Sequence, residues 1–311
     1  MAEENSGTGI RVEGLARSFG TVHAVRDISF HAPAGRITGL IGPNGSGKTT
    51  LMLMLGTLLV PDRGSMRIDG LDPVTQSREV RAILGWMPDT LGSWATLTVR
   101  ATLELTARLY GFDRLHSAAR AEELIELVDL APLADRPTRV LSRGQKQRMG
   151  LARALVHDPR VLLLDEPASG LDPGARVALR QLVRRLAEEG RTVLISSHIL
   201  SELDELTDVA VFLENGRTAD AERIDLARSK PREWRIRSLD PAALSAALAA
   251  GGTASRPGEL GDDVLVQLTG DTDAAALLAR LVAASVPITT FVPAVGELEH
   301  TFLDLAGEET S

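Results

Sequence analysis

The sequence predicts an α/β fold with a parallel central sheet, followed by a small α+β domain. Residues 161–164 and 192–195 are continuous apolar runs, the pattern of parallel strands that are buried on both faces. The helical pattern of residues 174–189 ends before Gly190 and supplies the crossover connection between these strands. The pattern changes near Lys230 and Pro231, where we place the start of the second domain.

The first elements along the chain predict an antiparallel part that leads into the central sheet. Residues 10–30 alternate enough to predict two antiparallel strands around a turn at Gly20. Residues 36–41 form a short apolar strand, and a helix begins at Lys48. Residues 98–155 carry leucines at helical spacing and are interpreted as a helical subdomain. Residues 209–213 add one more strand, so the first domain covers residues 10–229.

The second domain, residues 230–311, is predicted to alternate strands and helices. Asp240 is a typical helix cap, and Pro241 suits the first position of the helix that follows. The expected order is a strand at 234–237, this helix, a strand at 264–268, a helix at 273–284, a strand at 288–292 and a helix at 297–305. This order indicates a separate α+β domain.

Composition and charge exclude several classes of protein. The 311 residues carry a formal net charge of −8 with a pI near 5.4, so we expect no nucleic-acid partner. The chain has no cysteine, which excludes disulfides and cysteine catalysis. Residues 1–5 are acidic and lack an apolar stretch, so we expect no secretory signal. The longest apolar-rich run, residues 51–60, is too short to span a bilayer, so a membrane role would need a partner.

A glycine-rich segment, residues 42–49, matches the phosphate-binding loop G-x-x-x-x-G-K-[ST] at every fixed position. Backbone N–H groups of such a loop surround phosphate oxygens, Lys48 reaches the β- and γ-phosphates, and the Thr49 hydroxyl binds Mg²⁺. Thr50 adds a hydroxyl near the α-phosphate. A chance match is disfavoured because a strand precedes the loop and a helix follows it. We therefore expect ATP and Mg²⁺ as cofactors, bound by Gly42, Pro43, Asn44, Gly45, Ser46, Gly47, Lys48, Thr49 and Thr50.

Two adjacent carboxylates, Asp165 and Glu166, follow the apolar run 161–164. A strand that ends this way places both acids at the carboxyl edge of the sheet, beside the phosphates. Asp165 can then hold Mg²⁺, and Glu166 can polarise the attacking water as a general base. The alternative is a pair of exposed acids that cap the next segment, which the upstream phosphate loop disfavours.

Two further side chains are candidates for contact with a nucleotide. His198 follows the strand at 192–197 and could contact the γ-phosphate and steady the water or the base, which makes Lys48, Glu166 and His198 the candidate catalytic residues. Phe19 could stack on adenine, although a core position fits it nearly as well.

Taken in order, these motifs resemble those of the ATP-binding-cassette (ABC) ATPases, specifically the nucleotide-binding subunits of bacterial exporters. The matching segments are Phe19, the phosphate loop, the Pro88-Asp89 turn, residues 141–145, Asp165-Glu166, residues 169–172 and His198. The resemblance covers residues 10–216. It implies a P-loop NTPase fold with an antiparallel β subdomain and a helical subdomain, and it implies a second ATPase subunit. That subunit is expected to be another copy of this chain, with a heterodimer left open.

The resemblance also implies roles for residues outside the phosphate loop. Residues 141–145 correspond to the family's signature, in which Ser142, Gly144 and Gln145 would bind the γ-phosphate held by the second subunit. Asp172 would belong to the loop that couples the two sites. Arg143 stands where glycine is commonest. Asp89 stands where the family carries glutamine or glutamate, so metal contact by Asp89 is left open.

By the same resemblance, the chain is an ATPase subunit that powers a separate transmembrane permease from the cytoplasmic face of the cell membrane. Residues 296–305 are similar to the end of an accessory domain on drug- and antibiotic-exporting subunits, which favours export of a drug, antibiotic or other small amphiphile. Import is the alternative. A soluble ABC ATPase that acts on ribosomes or DNA is disfavoured. The ribosome-acting kind normally carries two cassettes per chain, and the interval from Lys48 to Ser142 is too short for the coiled-coil insertion of the chromosome-acting kind. A regulator without turnover is disfavoured by the intact Glu166.

Overall fold

The computed structural model describes residues 8–89, 92, 95–258 and 263–307. Contacts divide the chain into two compact units, Met1–Ala219 and Asp220–Ser311. Residues 1–5, for which no secretory signal is expected, and the end of the predicted domain 230–311 lie outside the described residues. Within the described ranges, no helix is both long enough and apolar enough to cross a membrane.

The first unit is built on a mixed sheet that, within the described residues, has nine strands. The strands are β1 (Ile10–Phe19), β2 (Val22–Ala32), β3 (Ile37–Ile41), β4 (Arg63–Ile68), β5 (Leu84–Met87), β6 (Val161–Asp165), β7 (Thr192–Ser196), β8 (Val209–Glu214) and β9 (Arg217–Thr218). Their order across the sheet is β4-β1-β2-β9-β8-β3-β7-β6-β5. The antiparallel β1–β2 pair and the parallel strands β6 and β7 confirm the prediction.

Helices connect the parallel strands and form the helical part of this unit. They are α1 (Lys48–Leu55), α2 (Ser77–Ile83), α3 (Val99–Leu109), α4 (Arg114–Leu127), α5 (Arg143–Leu155), α6 (Pro173–Glu188) and α7 (Leu200–Leu206). The predicted crossover helix is α6, and the predicted helical stretch at 98–155 contains α3, α4 and α5. The sequence analysis did not predict β4, β5, β9, α2 and α7, because segments of two to seven residues show too little periodicity.

The core of the first unit surrounds α1. Its buried side chains Leu51, Met52, Met54 and Leu55 pack with strands from both the antiparallel and the parallel parts of the sheet. All five residues of β3 are buried, as are all five of β6 and of β7. The carboxyl ends of these three strands are therefore held at one edge of the sheet by packing on both faces.

The second unit is an α+β domain with its own core. It contains the helices α8 (Ala221–Ser229), α9 (Pro241–Ala250), α10 (Gly270–Ala283) and α11 (Glu297–Gly307) and the strands β10 (Arg232–Ser238), β11 (Ser255–Pro257), β12 (Val264–Leu268) and β13 (Ile288–Pro293). The strand order is β11-β12-β10-β13, with antiparallel neighbours. As predicted, the Asp240 carboxylate accepts a hydrogen bond from the Ala243 N–H and caps α9.

The division between the units falls after Ala219, about ten residues before the boundary expected from the sequence. The reason is α8, which packs against α11. Arg228 Nε lies 3.3 Å from Glu297 Oε1, and Arg223 Nη2 donates to the Leu305 carbonyl at 3.4 Å. These contacts join residues far apart in sequence, and the local pattern around Lys230 does not reveal them.

Candidate active site

The phosphate loop connects the buried strand β3 to α1, which begins at Lys48. Gly45 and Gly47 have φ angles of 85° and 101°, a conformation that side chains other than glycine rarely adopt. A Cβ atom at Gly47 would lie 2.7 Å from the Ala24 carbonyl oxygen, so glycine is also required by space. Gly47 caps α1 without a side-chain acceptor, which leaves the first N–H groups of the helix available to an anion.

The Lys48 ammonium lies over this loop. It donates hydrogen bonds to the carbonyl oxygens of Gly42 at 2.7 Å and Pro43 at 3.0 Å. Burial lowers the pKa of Lys48 from its ordinary value, although the carboxylates of Glu166 and Asp165 oppose this shift. The ammonium is thus close to the carboxylates while its hydrogen bonds go to backbone acceptors, which an incoming phosphate can replace.

Asp165 is the last residue of β6 and is 5% exposed. The Ser196 hydroxyl, on the paired residue of β7, donates to Asp165 Oδ1 at 2.6 Å. Burial raises the pKa of Asp165, and the negative charges of Glu166 and Asp89 add to this effect against the Ser196 hydrogen bond and the Lys48 charge. A nearby cation would stabilise the charged form of this buried carboxylate.

Glu166 follows directly in an unusual backbone conformation, with φ of 52°. Its N–H lies 3.2 Å from both the carbonyl oxygen and the hydroxyl of Ser196. The side chain is brought to His198, whose Nδ1 lies 2.6 Å from Glu166 Oε2. Strand order explains this contact, since β6 and β7 are adjacent and parallel and end at the same edge of the sheet.

These groups line one cavity of about 570 Å³. The predicted residues among its walls are Asn44, Gly45, Gly47, Lys48, Thr49, Thr50, Asp89, Asp165, Glu166 and His198. Gly42, Pro43 and Ser46 belong to the loop but not to the cavity wall. The Ser46 hydroxyl is buried and has no hydrogen-bond partner among the residues that the structure describes. The structure therefore brings together the phosphate loop, the two carboxylates, the histidine and Asp89.

The remaining predicted residues lie outside the wall of this cavity. Ser142 and Gln145 form a reciprocal capping box at the start of α5, in which the Ser142 hydroxyl accepts from the Gln145 N–H at 3.2 Å and Gln145 Oε1 accepts from the Ser142 N–H at 2.9 Å. Gly144 packs closely on the Gly170 carbonyl. The Asp172 carboxylate caps α6, and hydrogen bonds to it, led by that from the Ala175 N–H, lower its pKa.

Phe19 also lies outside the cavity wall, at the end of β1. Its side chain is 45% exposed, and the Arg17 guanidinium carbon lies 5.1 Å from the ring centroid. The neighbouring strand β2 contributes Val22, His23 and Ala24 to the cavity instead. Stacking of Phe19 on adenine stays a prediction.

Sequence reasoning missed five residues of the wall. Val22, His23 and Ala24 follow the turn at Gly20, and their position depends on the β1–β2 register, in which Phe19 pairs with Val22 and Ser18 with His23. Arg143 and Ser169 reach the cavity together, since Arg143 Nη2 donates to Ser169 Oγ at 2.5 Å. The sequence offered one sign of this contact, which is the charged residue Arg143 at a signature position where the family that the chain resembles most often has glycine.

The donor set suits a Mg²⁺ ion. The oxygens of Asp165 and Thr49 face the same cavity, and Mg²⁺ is usually bound by one or two carboxylates together with substrate phosphates. Burial disfavours the charged form of the Asp165 carboxylate and raises its pKa, and a bound divalent cation would favour that charged form again. Asp89 lies at the exposed side of the wall, from where its charge reaches Asp165.

Comparisons with known proteins agree with this site. The ABC transporter family pattern matches residues 25–169. The chain is similar to the ABC transporter ATP-binding protein NatA of Bacillus subtilis (strain 168), with 36% identity over 196 residues that cover 63% of this chain and 80% of NatA. It is similar to the daunorubicin resistance ATP-binding protein DrrA3 of Streptomyces coeruleorubidus, with 38% identity over 210 residues that cover 68% of this chain and 66% of DrrA3. A solved structure of an ATP-binding subunit of an ABC transporter superposes with a TM-score of 0.64 at 28% identity, covering 70% of this chain and 92% of that one.

Proposed function

Because this chain belongs to the ABC transporter ATP-binding proteins and is an ATPase, we propose that it dimerises around two Mg·ATP and powers a separate membrane permease. The observation that carries this proposal is the division of the motifs in space. The phosphate loop, Asp165, Glu166 and His198 line one cavity. Of the signature residues, Arg143 reaches the wall of this cavity, whereas Ser142, Gly144 and Gln145 lie outside it. A second subunit would supply them.

Within one chain, we assign nucleotide binding to the phosphate loop and catalysis to the residues that face it. Lys48 exchanges its backbone acceptors for the β- and γ-phosphates and balances their charge. Thr49 and Asp165 would hold Mg²⁺, and the ion would neutralise charge on the phosphate oxygens. Glu166 accepts the proton of the attacking water, and His198 holds the Glu166 carboxylate through their 2.6 Å contact.

The second subunit completes each site from the opposite side. We propose that the N-terminal end of α5, with Ser142, Gly144 and Gln145, binds the γ-phosphate held by the other chain. This end of the helix has N–H groups and a helix dipole that favour an anion. Asp172, at the start of α6, couples the two sites, and Asp89 reports the state of the phosphates to the permease. Dimerisation is tested by sedimentation of the Glu166→Gln protein with and without Mg·ATP, where the mass should double only with nucleotide.

We propose export as the direction of transport, with the chain held at the cytoplasmic face of the cell membrane by the permease. Two observations support it: the similarity to a daunorubicin resistance protein and the presence of a second unit, Asp220–Ser311, with its own core. Import is the alternative. Reconstitution with the permease in vesicles decides between them, since ATP added on the side of this subunit should move cargo away from that side.

The second unit is proposed to keep subunits and permease together between cycles. Truncation after Ala219 should leave ATP binding intact, since the cavity lies wholly in the first unit. It should reduce dimer retention or permease association, measured by sedimentation and pull-down. If the truncated protein dimerises, binds the permease and transports like the full chain, the second unit has no such role.

A further inference from the structure

A buried glutamine connects α5, the helix that begins at the signature residues, to the backbone of Glu166 in the same chain. Gln147 lies on α5 and is 4% exposed. Its Nε2 donates to the backbone carbonyl oxygen of Glu166 at 3.2 Å. The same carbonyl accepts from the Ser169 N–H at 3.1 Å. The side-chain amide thus binds the peptide group of the residue to which we assign the general base.

This contact acts on a backbone position that needs support. Glu166 has a φ of 52°, a left-handed conformation that residues with a Cβ avoid and keep only where surrounding contacts hold it. The Ser196 carbonyl and hydroxyl hold its N–H, and Gln147 and the Ser169 N–H hold its carbonyl. If Gln147 lost its donor, one of the two bonds to the carbonyl would be missing, and the peptide could rotate and displace the carboxylate.

A second contact shows that the start of α5 packs against the segment that follows Glu166. Arg143 and Gln147 are four residues apart and therefore share a face of the helix. Arg143 Nη2 donates to Ser169 Oγ, and a Cβ at Gly170 would lie 2.7 Å from Arg143 Cδ. Gln147 contacts Glu166, and Arg143 contacts Ser169 and Gly170. This face of α5 therefore packs against both ends of the segment 166–170.

We propose that Gln147 is a positioning residue that sets the Glu166 carboxylate according to where α5 lies. The proposal rests on the proposed function, in which Glu166 is the general base and the α5 terminus at Ser142 binds nucleotide held by the second subunit. Gln147 lies five positions after Ser142, which corresponds to about 7.5 Å along the helix. A movement of that terminus on the second subunit's nucleotide is thereby transmitted to the base of the chain's own site.

The test is the steady-state ATPase activity of the full-length Gln147→Met protein, which keeps the side-chain length and removes the donor. We expect kcat to fall about tenfold, a loss in keeping with a base displaced by less than an ångström, while KM for Mg·ATP stays within about twofold. Gln181→Met makes the same chemical change on the exposed face of α6 and serves as the matched control, with kcat unchanged. Thermal unfolding of each protein establishes that it is folded, and Gln147→Glu replaces Gln147→Met if the latter is not.

A double-mutant cycle separates positioning from a general structural defect. In the Glu166→Gln protein, Gln147→Met should leave the residual hydrolysis unchanged, because the base on which it acts is already absent. A tenfold fall in both backgrounds, or a rise in KM with kcat unchanged, would overturn the proposal. If Gln147→Met has the wild-type kcat while Glu166→Gln is inactive, only the positioning role of Gln147 is rejected. If Glu166→Gln hydrolyses ATP at a near-normal rate, the general-base assignment itself is rejected.

Discussion

Replacement of Glu166 by glutamine isolates the basicity of the side chain. Glutamine has nearly the same size as glutamate and keeps an oxygen that can accept from His198, whose Nδ1 lies 2.6 Å from Glu166 Oε2. Lys48 is hydrogen-bonded to the carbonyl oxygens of Gly42 and Pro43, and Asp165 to the Ser196 hydroxyl, and these bonds do not involve the Glu166 side chain. The substitution should therefore leave ATP binding intact and remove only the acceptor for the proton of water.

The size of the loss follows from this geometry. A positioned general base contributes about 10²–10⁴ to a rate. His198 remains beside the substituted side chain, and the phosphate loop and Asp165 continue to bind and orient the phosphates, so we expect the lower part of this range. A fall in kcat of about 10²–10³ corresponds to about 2.7–4.1 kcal/mol on the activation barrier.

The assay is phosphate release at saturating Mg·ATP, together with the Kd for ATP measured on the same protein. We expect a Kd within about threefold of wild type, a difference of less than 1 kcal/mol, and a dimer that persists in sedimentation because product formation no longer opens it. Glu188→Gln, the same change at an exposed position of α6, should hydrolyse ATP at the wild-type rate. Near-normal hydrolysis by Glu166→Gln would falsify the general-base assignment.

Three further expectations concern site sharing, Asp89 and pH. Inactive Lys48→Ala and inactive Ser142→Arg chains should partly restore ATPase activity when mixed, because each mixed dimer holds one intact composite site; no recovery despite mixed dimers argues against shared sites. Asp89→Gln should preserve or raise basal hydrolysis, since it removes a charge that raises the pKa of Asp165. Asp89→Ala should lower permease-stimulated ATPase more than basal ATPase, and equal stimulation would exclude a coupling role. Burial lowers the pKa of His157 from 6.5 to about 4. As the pH is lowered, the unfolded chain protonates His157 at a higher pH than the folded chain does. The free energy of unfolding should therefore decrease as the pH falls from 6.5 to 4. After a discount for partial exposure, the loss is about 1–2 kcal/mol, and urea unfolding should show it in wild type but not in His157→Gln.

Much of the fold was predictable because its strongest signals are local. The buried runs at 161–164 and 192–195 became β6 and β7, and the alternating segment 10–30 became the antiparallel pair β1 and β2. The weak points were short elements, such as β5 with four residues, and the boundary between the units, which depends on the packing of α8 on α11.

The sequence by itself determined the phosphate loop and the two carboxylates of the site. The spacing of the phosphate loop requires glycine at positions of positive φ and close approach, and two carboxylates at the end of a buried strand must emerge at one edge of the sheet. These requirements are visible in the sequence because the backbone imposes them within a few consecutive residues.

Only the tertiary structure decided how these groups meet. Glu166 and His198 are joined because β6 and β7 are neighbours in the sheet, and Gln147 reaches the Glu166 carbonyl because α5 packs on the segment that follows β6. The bond from Arg143 to Ser169 arises in the same way. Such contacts depend on the order of strands and on the packing of helices, and no local period in the chain records the distance between residues that folding brings together.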